Sequence, residues 1–269
     1  MLLRAGLLSI SFRKLSVEQL IAAVVQAQLA GIEWGGDIHV PHGCVERAKK
    51  VAAWTRDAGL HVAAYGSYYR AGVSEQQGLP FDKVLDSAVA LGAPTIRVWA
   101  GAKASAKTTP DERQRIVDDC LRIARLARAQ NIEVAFEYHP NTLTDTRASA
   151  QALLQATHVE GLAAYWQPAV AFSPSEQLAS LSDMLPYLAN LHVFHWAADG
   201  ERLPLSAGTT AWRNVLHLLT TGAPRVTNKP RWAMLEFVRD NTLEQFQLDA
   251  AVLRHLLEPE HAPSPPAAS

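Results

Sequence analysis

The stretch Ile132-Glu133-Val134-Ala135-Phe136-Glu137-Tyr138-His139-Pro140-Asn141 decides how the rest of the chain is read. Ile132, Val134 and Phe136 share one parity, as on a strand with one buried face. Glu133, Ala135, Glu137 and His139 share the other. Pro140 and Asn141 stop the run. A carboxylate and an imidazole thus face the same way at the C-terminal end of an apolar strand. A functional site and a solvent-wetted strand end fit this stretch equally well, so the other strand ends must decide.

Seven further apolar runs flank it, each followed by a segment of helical period: Ala5–Ile10, Gly31–Trp34, Leu60–Tyr65, Thr95–Trp99, Leu162–Trp166, Leu191–His195 and Trp232–Phe237. Helix signals sit between them. Ser16 and Gln19 form a capping box, Pro110-Asp111-Glu112 opens a long amphipathic helix, Ser173-Pro174 opens another, and the last runs from Asn241 or Thr242 to Leu257. Strands alternating with helices predict a parallel sheet. Eight such units predict closure into a (β/α)8 TIM barrel, whose chemistry sits at the C-terminal mouth. A doubly wound open sheet is the alternative, weakened because no glycine-rich phosphate turn follows any strand. A P-loop and a G-x-S-x-G elbow are also absent.

Composition agrees with one domain over residues 1–257. The chain has 269 residues, 48% hydrophobic and 19% charged, with a net charge of −1. That balance carries no footprint for nucleic acid or an anionic membrane. The proline-rich tail, 258–269, reads as disordered. Cys44 and Cys120 read as packed thiols of a reducing compartment. The apolar run near Met1 reads as a first strand rather than a signal peptide, and no run reaches the ~18 apolar residues of a membrane helix. A cytoplasmic protein is expected.

The strand ends carry a polar ring: Glu33, Asp37 and His39; Tyr65, Ser67, Tyr68 and Arg70; Arg97 and Trp99; Glu137 and His139; Trp166 and Gln167; His192, His195 and Trp196; Glu236. Each alone has a plain structural reading. Glu33 can pair with Arg97, Trp99 and Trp166 can be barrel packing, and a strand histidine is more often hydrogen-bonded structure than a ligand. Together, all at one end, they point to a site. Glu137, His192 and Glu236 are the ligand types of a divalent ion: Mn²⁺ foremost, with Mg²⁺, Co²⁺ and Zn²⁺ compatible.

The chain also resembles the xylose-isomerase-like TIM barrels, which include sugar isomerases and epimerases, inosose dehydratases and family 2 apurinic endonucleases. The resemblance rests on Ile-Glu-Trp-Gly-Gly-Asp from Ile32, Phe-Glu-Tyr-His-Pro-Asn-Thr-Leu-Thr-Asp-Thr from Phe136, Tyr-Trp-Gln-Pro from Tyr165, Leu-His-Val-Phe-His-Trp from Leu191 and Leu-Glu-Phe-Val from Leu235, and reaches to about Leu257. It implies a metal held at Glu137, Gln167, His192 and Glu236. Gln167 stands where the family's epimerases carry Asp, so one charge is missing, and Val170 replaces a common His.

What the resemblance implies is proton abstraction next to a carbonyl of a ketose or keto-polyol, with Glu137 and Glu236 as acid and base. Glu33, His39, Tyr65, Arg97, His195 and Arg202 would bind the small carbohydrate substrate, and Trp34, Trp99, Trp166 and Trp196 would wall the pocket. An isomerase or epimerase is expected. A lyase or dehydratase working through the same enediolate is the alternative, and a metal-free sugar-binding barrel is the non-enzymatic one. An apurinic endonuclease would need more His ligands and a basic face. Oligomeric state is left open, a homo-oligomer included.

Overall fold

The computed structural model describes residues 3–225 and 227–258. Eight strands close into a parallel barrel: β1 (Leu3–Leu8), β2 (Gly31–Gly35), β3 (His61–Ala71), β4 (Thr95–Ala100), β5 (Glu133–Glu137), β6 (Ala163–Trp166), β7 (Leu188–Val193) and β10 (Arg231–Leu235). Each pairs with its chain neighbour, and β1 pairs with β10 to close the ring. A short antiparallel hairpin, β8 (His195–Trp196) with β9 (Arg202–Leu203), follows β7. The helices are α1 (Val17–Gln26), α2 (Val45–Asp57), α3 (Phe81–Leu91), α4 (Pro110–Ala129), α5 (Arg147–Thr157), α6 (Pro174–Met184), α7 (Thr209–Thr221) and α8 (Leu243–Leu257). No helix among the described residues is long and apolar enough to cross a membrane. The expected tail lies outside the described residues apart from Glu258.

Local signals set the helix starts. Ser16 and Gln19, Thr109 and Glu112, and Ser173 and Glu176 each form a complete capping box, the last two with Pro at the first helical position. Two strands depart from the expected bounds. β1 stops at Leu8, because Ser9–Phe12 turns into a 3-10 helix whose Ser9 Oγ accepts from the Gly35 amide at 2.8 Å. β3 runs six residues beyond Tyr65, and its register with β4 slips between Gly66 and Arg70.

Two apolar layers hold the barrel. The outer one lies between strands and helices and takes Ile32, Trp34, Ile96, Val134, Phe136, Trp166, Leu191 and Leu235. The inner one is small: Leu8, Ala63, Ala135, Ala163, Tyr165, Ala189, Trp232 and Met234. Trp232 fits inside the barrel because its neighbours are minimal. A Cβ on Gly31 would stand 2.7 Å from Trp232 Cη2 and 2.6 Å from the His61 carbonyl oxygen, so only glycine leaves the indole its place.

Candidate active site

Alternation along the strands puts Arg97 of β4, Glu137 of β5, His192 of β7 and Glu33 of β2 inside the barrel, above that apolar floor. Gln167 and Glu236 follow β6 and β10 by one residue, and the Glu236 amide still donates to the Val193 carbonyl at 3.0 Å. Glu33, Arg97, Glu137, His192 and Glu236 are each 3% exposed or less. Few proteins bury five ionisable groups together without a function for them.

The cluster has two halves. In one, Arg97 Nε donates to Glu33 Oε1 at 2.7 Å and its Nη1 donates to Glu137 Oε2. Trp99 Nε1 donates to the same Glu137 oxygen at 2.5 Å. In the other, His192 Nδ1 faces Gln167 Oε1 at 2.8 Å, Glu236 Oε2 at 3.2 Å and Glu137 Oε1 at 3.6 Å. The Gln167 amide is oriented by its Nε2, which donates to the Tyr138 carbonyl at 2.8 Å, and this turns Oε1 toward the imidazole. Tyr165 packs edge-on against the His192 ring, with centroids 5.2 Å apart. The four residues expected to hold a metal therefore meet around one point.

Charge and hydrogen bonding both fit a cation there. Three carboxylates against one guanidinium leave two negative charges while His192 is neutral, on side chains that are almost fully buried. Ligand atoms of Glu137, His192 and Glu236 lie within 4.8 Å of one another. Glu33 Oε2, His192 Nε2 and Glu236 Oε2 are buried without a hydrogen-bond partner, which marks an incomplete polar network. Burial alone would raise the Glu137 carboxyl, but the charges of Arg97, His192 and His139 and the Trp99 N–H outweigh it and hold it below its ordinary value. Burial would likewise lower His192. The negative charge of Glu236 3.2 Å away, with Glu137 and Glu33 behind, overcomes that and raises it.

The other expected residues divide. Glu33 and Arg97 sit in the cluster, paired with each other as their plain reading held. Trp34 and Trp166 do not reach it: Glu33 and Tyr165 occupy the inward positions, so the next residues face the helices. Trp34 Nε1 donates to Thr55 Oγ1 at 3.2 Å and Trp166 Nε1 to Ser180 Oγ at 2.9 Å. Tyr65 also lies in the outer layer, its hydroxyl donating to the Val40 carbonyl at 2.8 Å. His39 is buried beneath the loops, with ring nitrogens 3.0 Å from Ser9 Oγ and 3.2 Å from the Leu15 carbonyl oxygen. Trp34, Tyr65 and His39 belong to packing; Trp166 packs in the outer layer and also borders a cavity beside the hairpin, lined with Phe194, His195 and Trp196.

His195 is on the hairpin with its ring against Gly208, where a Cβ would lie 2.6 Å from His195 Cγ. Arg202 donates to Asn241 Oδ1 at 2.9 Å and lies 5.1 Å from the Phe237 ring centre. Trp196 and Phe237 pack together beside it, centroids 4.9 Å apart. His139 falls two residues beyond β5, and its ring lies on Trp99 with centroids 4.7 Å apart, instead of sharing the strand face with Glu137.

Tyr68 stood in the polar ring without a role. It stands in the left-handed region at φ 56°, within the irregular part of β3, with its ring edge-on to Trp99 at 5.2 Å and Arg97 Cζ 5.5 Å from its centre. A bulky residue in that region costs about 1–2 kcal/mol. Nothing in a Tyr-Tyr-Arg run announces such a turn.

The xylose isomerase-like TIM barrel family model matches residues 21–245. The chain belongs to this family. A 3-dehydroshikimate dehydratase of Bacillus anthracis is 28% identical over 182 residues, 59% of this chain and 61% of that protein, so the match spans less than two thirds of the relative's length. The crystal structure of a probable 3-DHS dehydratase from Bacillus anthracis, involved in petrobactin synthesis, superposes with a TM-score of 0.78 at 22% identity, over 94% of this chain and 99% of that one. D-allulose 3-epimerase from Methylomonas sp. gives a TM-score of 0.69 at 12% identity, over 94% and 96%. At those identities the two structures share the barrel. A dehydratase is thus among the proteins similar in sequence, and an epimerase among those that share the barrel.

Proposed function

We propose that this protein is a divalent-metal-dependent lyase that removes water from a cyclic keto-polyol of the 3-dehydroshikimate type. The supporting observation is the inequality of its two central carboxylates. Glu137 Oε2 is held by Arg97 and Trp99, which keeps the group ionised and suits it to ligation. Apart from His192 beside it, no donor among the described residues reaches the Glu236 carboxylate. A carboxylate not anchored by donors, set beside one that is, suits an elimination with a single base. Epimerisation would require Glu137 to exchange protons while two donors hold it.

Glu137, Gln167, His192 and Glu236 would hold the ion, with Mn²⁺ as the leading candidate. When bound, a divalent ion supplies Lewis acidity to the substrate's carbonyl and adjacent hydroxyl oxygens. Glu236 then takes the proton from the carbon next to the carbonyl. Arg97 keeps Glu137 charged throughout, and the sealed barrel floor keeps water away from the carbanionic stage. The dehydratase relative supports this choice of reaction over the epimerase reading.

The test is incubation of Mn²⁺-loaded protein with 3-dehydroshikimate and with a panel of ketoses and keto-inositols. Loss of water from 3-dehydroshikimate to a dihydroxybenzoate is expected, and Glu236→Gln should slow it by roughly 10²- to 10⁴-fold. Epimerisation of a panel sugar with no dehydration anywhere would replace the lyase by an epimerase.

A further inference from the structure

β-Elimination of water needs a second proton carrier, because hydroxide is a poor leaving group. Glu236 is the proton acceptor in the reading above, and Glu137 is held by two donors. Two phenols border the cluster among the described residues: Tyr165, whose hydroxyl is buried within the inner apolar layer below it, and Tyr68, whose ring lies over Arg97 and Trp99. Ser67–Tyr69 interrupts the β3–β4 register, and bulges of this kind re-aim side chains next to active sites. Ser67 Oγ locks the turn, donating to the Arg97 carbonyl at 2.7 Å and accepting from the Tyr69 amide at 3.2 Å. The result is the left-handed Tyr68, whose ring covers Arg97 and Trp99, the two groups that hold Glu137. An outlier kept at such a place calls for a role.

The Tyr68 hydroxyl is also bound from a third loop. Arg13 follows β1; its Nη1 is anchored on Asp37, which follows β2, and its Nη2 donates to the Tyr68 oxygen at 2.8 Å. The phenol oxygen thus accepts from a fixed cation, while its own proton goes to no acceptor among the described residues. That arrangement suits a proton donor: the proton is unspent, and the charge left behind would meet a guanidinium. Burial raises the phenol's pKa, with Arg97 and Arg13 pulling it down and Glu236 and Glu137 pushing it up, so the group is protonated at neutral pH.

Resting on the lyase reading, we propose that Tyr68 is the acid that protonates the leaving hydroxyl, with Arg13 as the positioning residue that orients the phenol. The carbon–hydrogen bond next to the carbonyl breaks and its proton goes to Glu236. The electron pair forms the new carbon–carbon double bond as the β carbon–oxygen bond breaks. The Tyr68 proton joins the departing hydroxide to give water. The proton on Glu236 then returns to the phenolate through solvent, so that substrate becomes product plus water with both residues restored.

Tyr68→Phe keeps the ring and the backbone while removing only the hydroxyl. With Mn²⁺-loaded protein and 3-dehydroshikimate in D₂O, product formation and deuterium uptake next to the carbonyl of recovered substrate are measured together. The expected result is a product rate roughly 10²- to 10⁴-fold lower, with deuterium uptake retained, so that the ratio of exchange to elimination rises steeply. Arg13→Met should shift the same ratio by less. An analogue carrying fluoride at the β position, which leaves without a proton donor, should be spared. Wild-type product rates in Tyr68→Phe, or an equal fall in exchange and elimination, would overturn the proposal. If the wild-type protein gave neither exchange nor product, the lyase reading itself would fall and take the acid role with it; exchange without product would leave proton abstraction standing and remove both dehydration and this role for Tyr68.

Discussion

The floor and the mouth of the barrel are built from the same alternation and opposite chemistry. At the floor, inward positions carry Gly31, Ala63, Ala135, Ala163 and Trp232, and a single indole fills the space that small residues leave. Toward the C-terminal ends of the strands the inward positions carry Glu33, Arg97, Glu137 and His192, with Glu236 beyond β10. The floor is satisfied by contact alone. The mouth is not, because buried oxygen and nitrogen atoms there lack partners and negative charge is in excess. A protein selected only for stability would not keep the second layer when the first shows how to fill the space.

Arg97→Met sharpens that contrast most. It strands Glu33 and Glu137 in the dry interior, and removal of one partner from a buried ion pair costs about 3–5 kcal/mol. Urea unfolding should show that loss, with much of it recovered by Mn²⁺ if the ion replaces the missing positive charge. An unchanged midpoint would mean the mouth is wetter than its burial indicates.

At the floor, Gly31→Ala should cost about 1–3 kcal/mol by overpacking against Trp232 and the His61 carbonyl. Metal affinity should not change. A coupled loss of metal binding would show that floor and mouth are not separate layers.

The fold was legible because binary pattern and helix starts agree over the whole chain, from the Ser16 capping box and the Pro110-Asp111-Glu112 helix start to the Glu137 strand. The cluster was legible through residue type at strand ends. Its surroundings were less so. Trp34 and Trp166 follow inward residues, and assigning both neighbours to the pocket broke the rule that successive side chains face opposite sides. Tyr68 stood in the polar ring without a role for the opposite reason: a left-handed turn inside a strand suspends that rule, and only the structure shows the turn. The double hold of Arg97 and Trp99 on one Glu137 oxygen, which separates the roles of the two carboxylates, depends on side-chain direction and left no trace in spacing.

Gln167→Asp probes the mouth by adding charge. The Gln167 carbonyl oxygen faces the meeting point of the cluster, so an Asp there should tighten Mn²⁺ binding by tenfold or more, about 1.4 kcal/mol. The shorter side chain offsets part of the gain. Weaker binding would mean that the reach fixed by the Tyr138 carbonyl matters more than charge.

The smallest effect is in pH. His192 has a raised folded-state pKa without metal, so its protonated form stabilises the chelator-treated protein below the unfolded value of about 6.5. That contribution is lost as pH rises through the folded value. The ion must displace the same proton, so Mn²⁺ affinity should fall as pH falls through that value, with protons released on binding. Calorimetry in buffers of different ionisation enthalpy reads the release directly. Binding without it would place His192 outside the ligand set.

Isothermal titration of Mn²⁺ into chelator-treated protein, alongside Glu236→Gln, tests most directly whether the mouth is built around a cation. One site per chain is expected in the wild-type protein, with binding at least tenfold weaker in the variant, since one of the two uncompensated negative charges is gone. No binding to the wild-type protein, or equal binding to both, would contradict a metal held by Glu137, Gln167, His192 and Glu236.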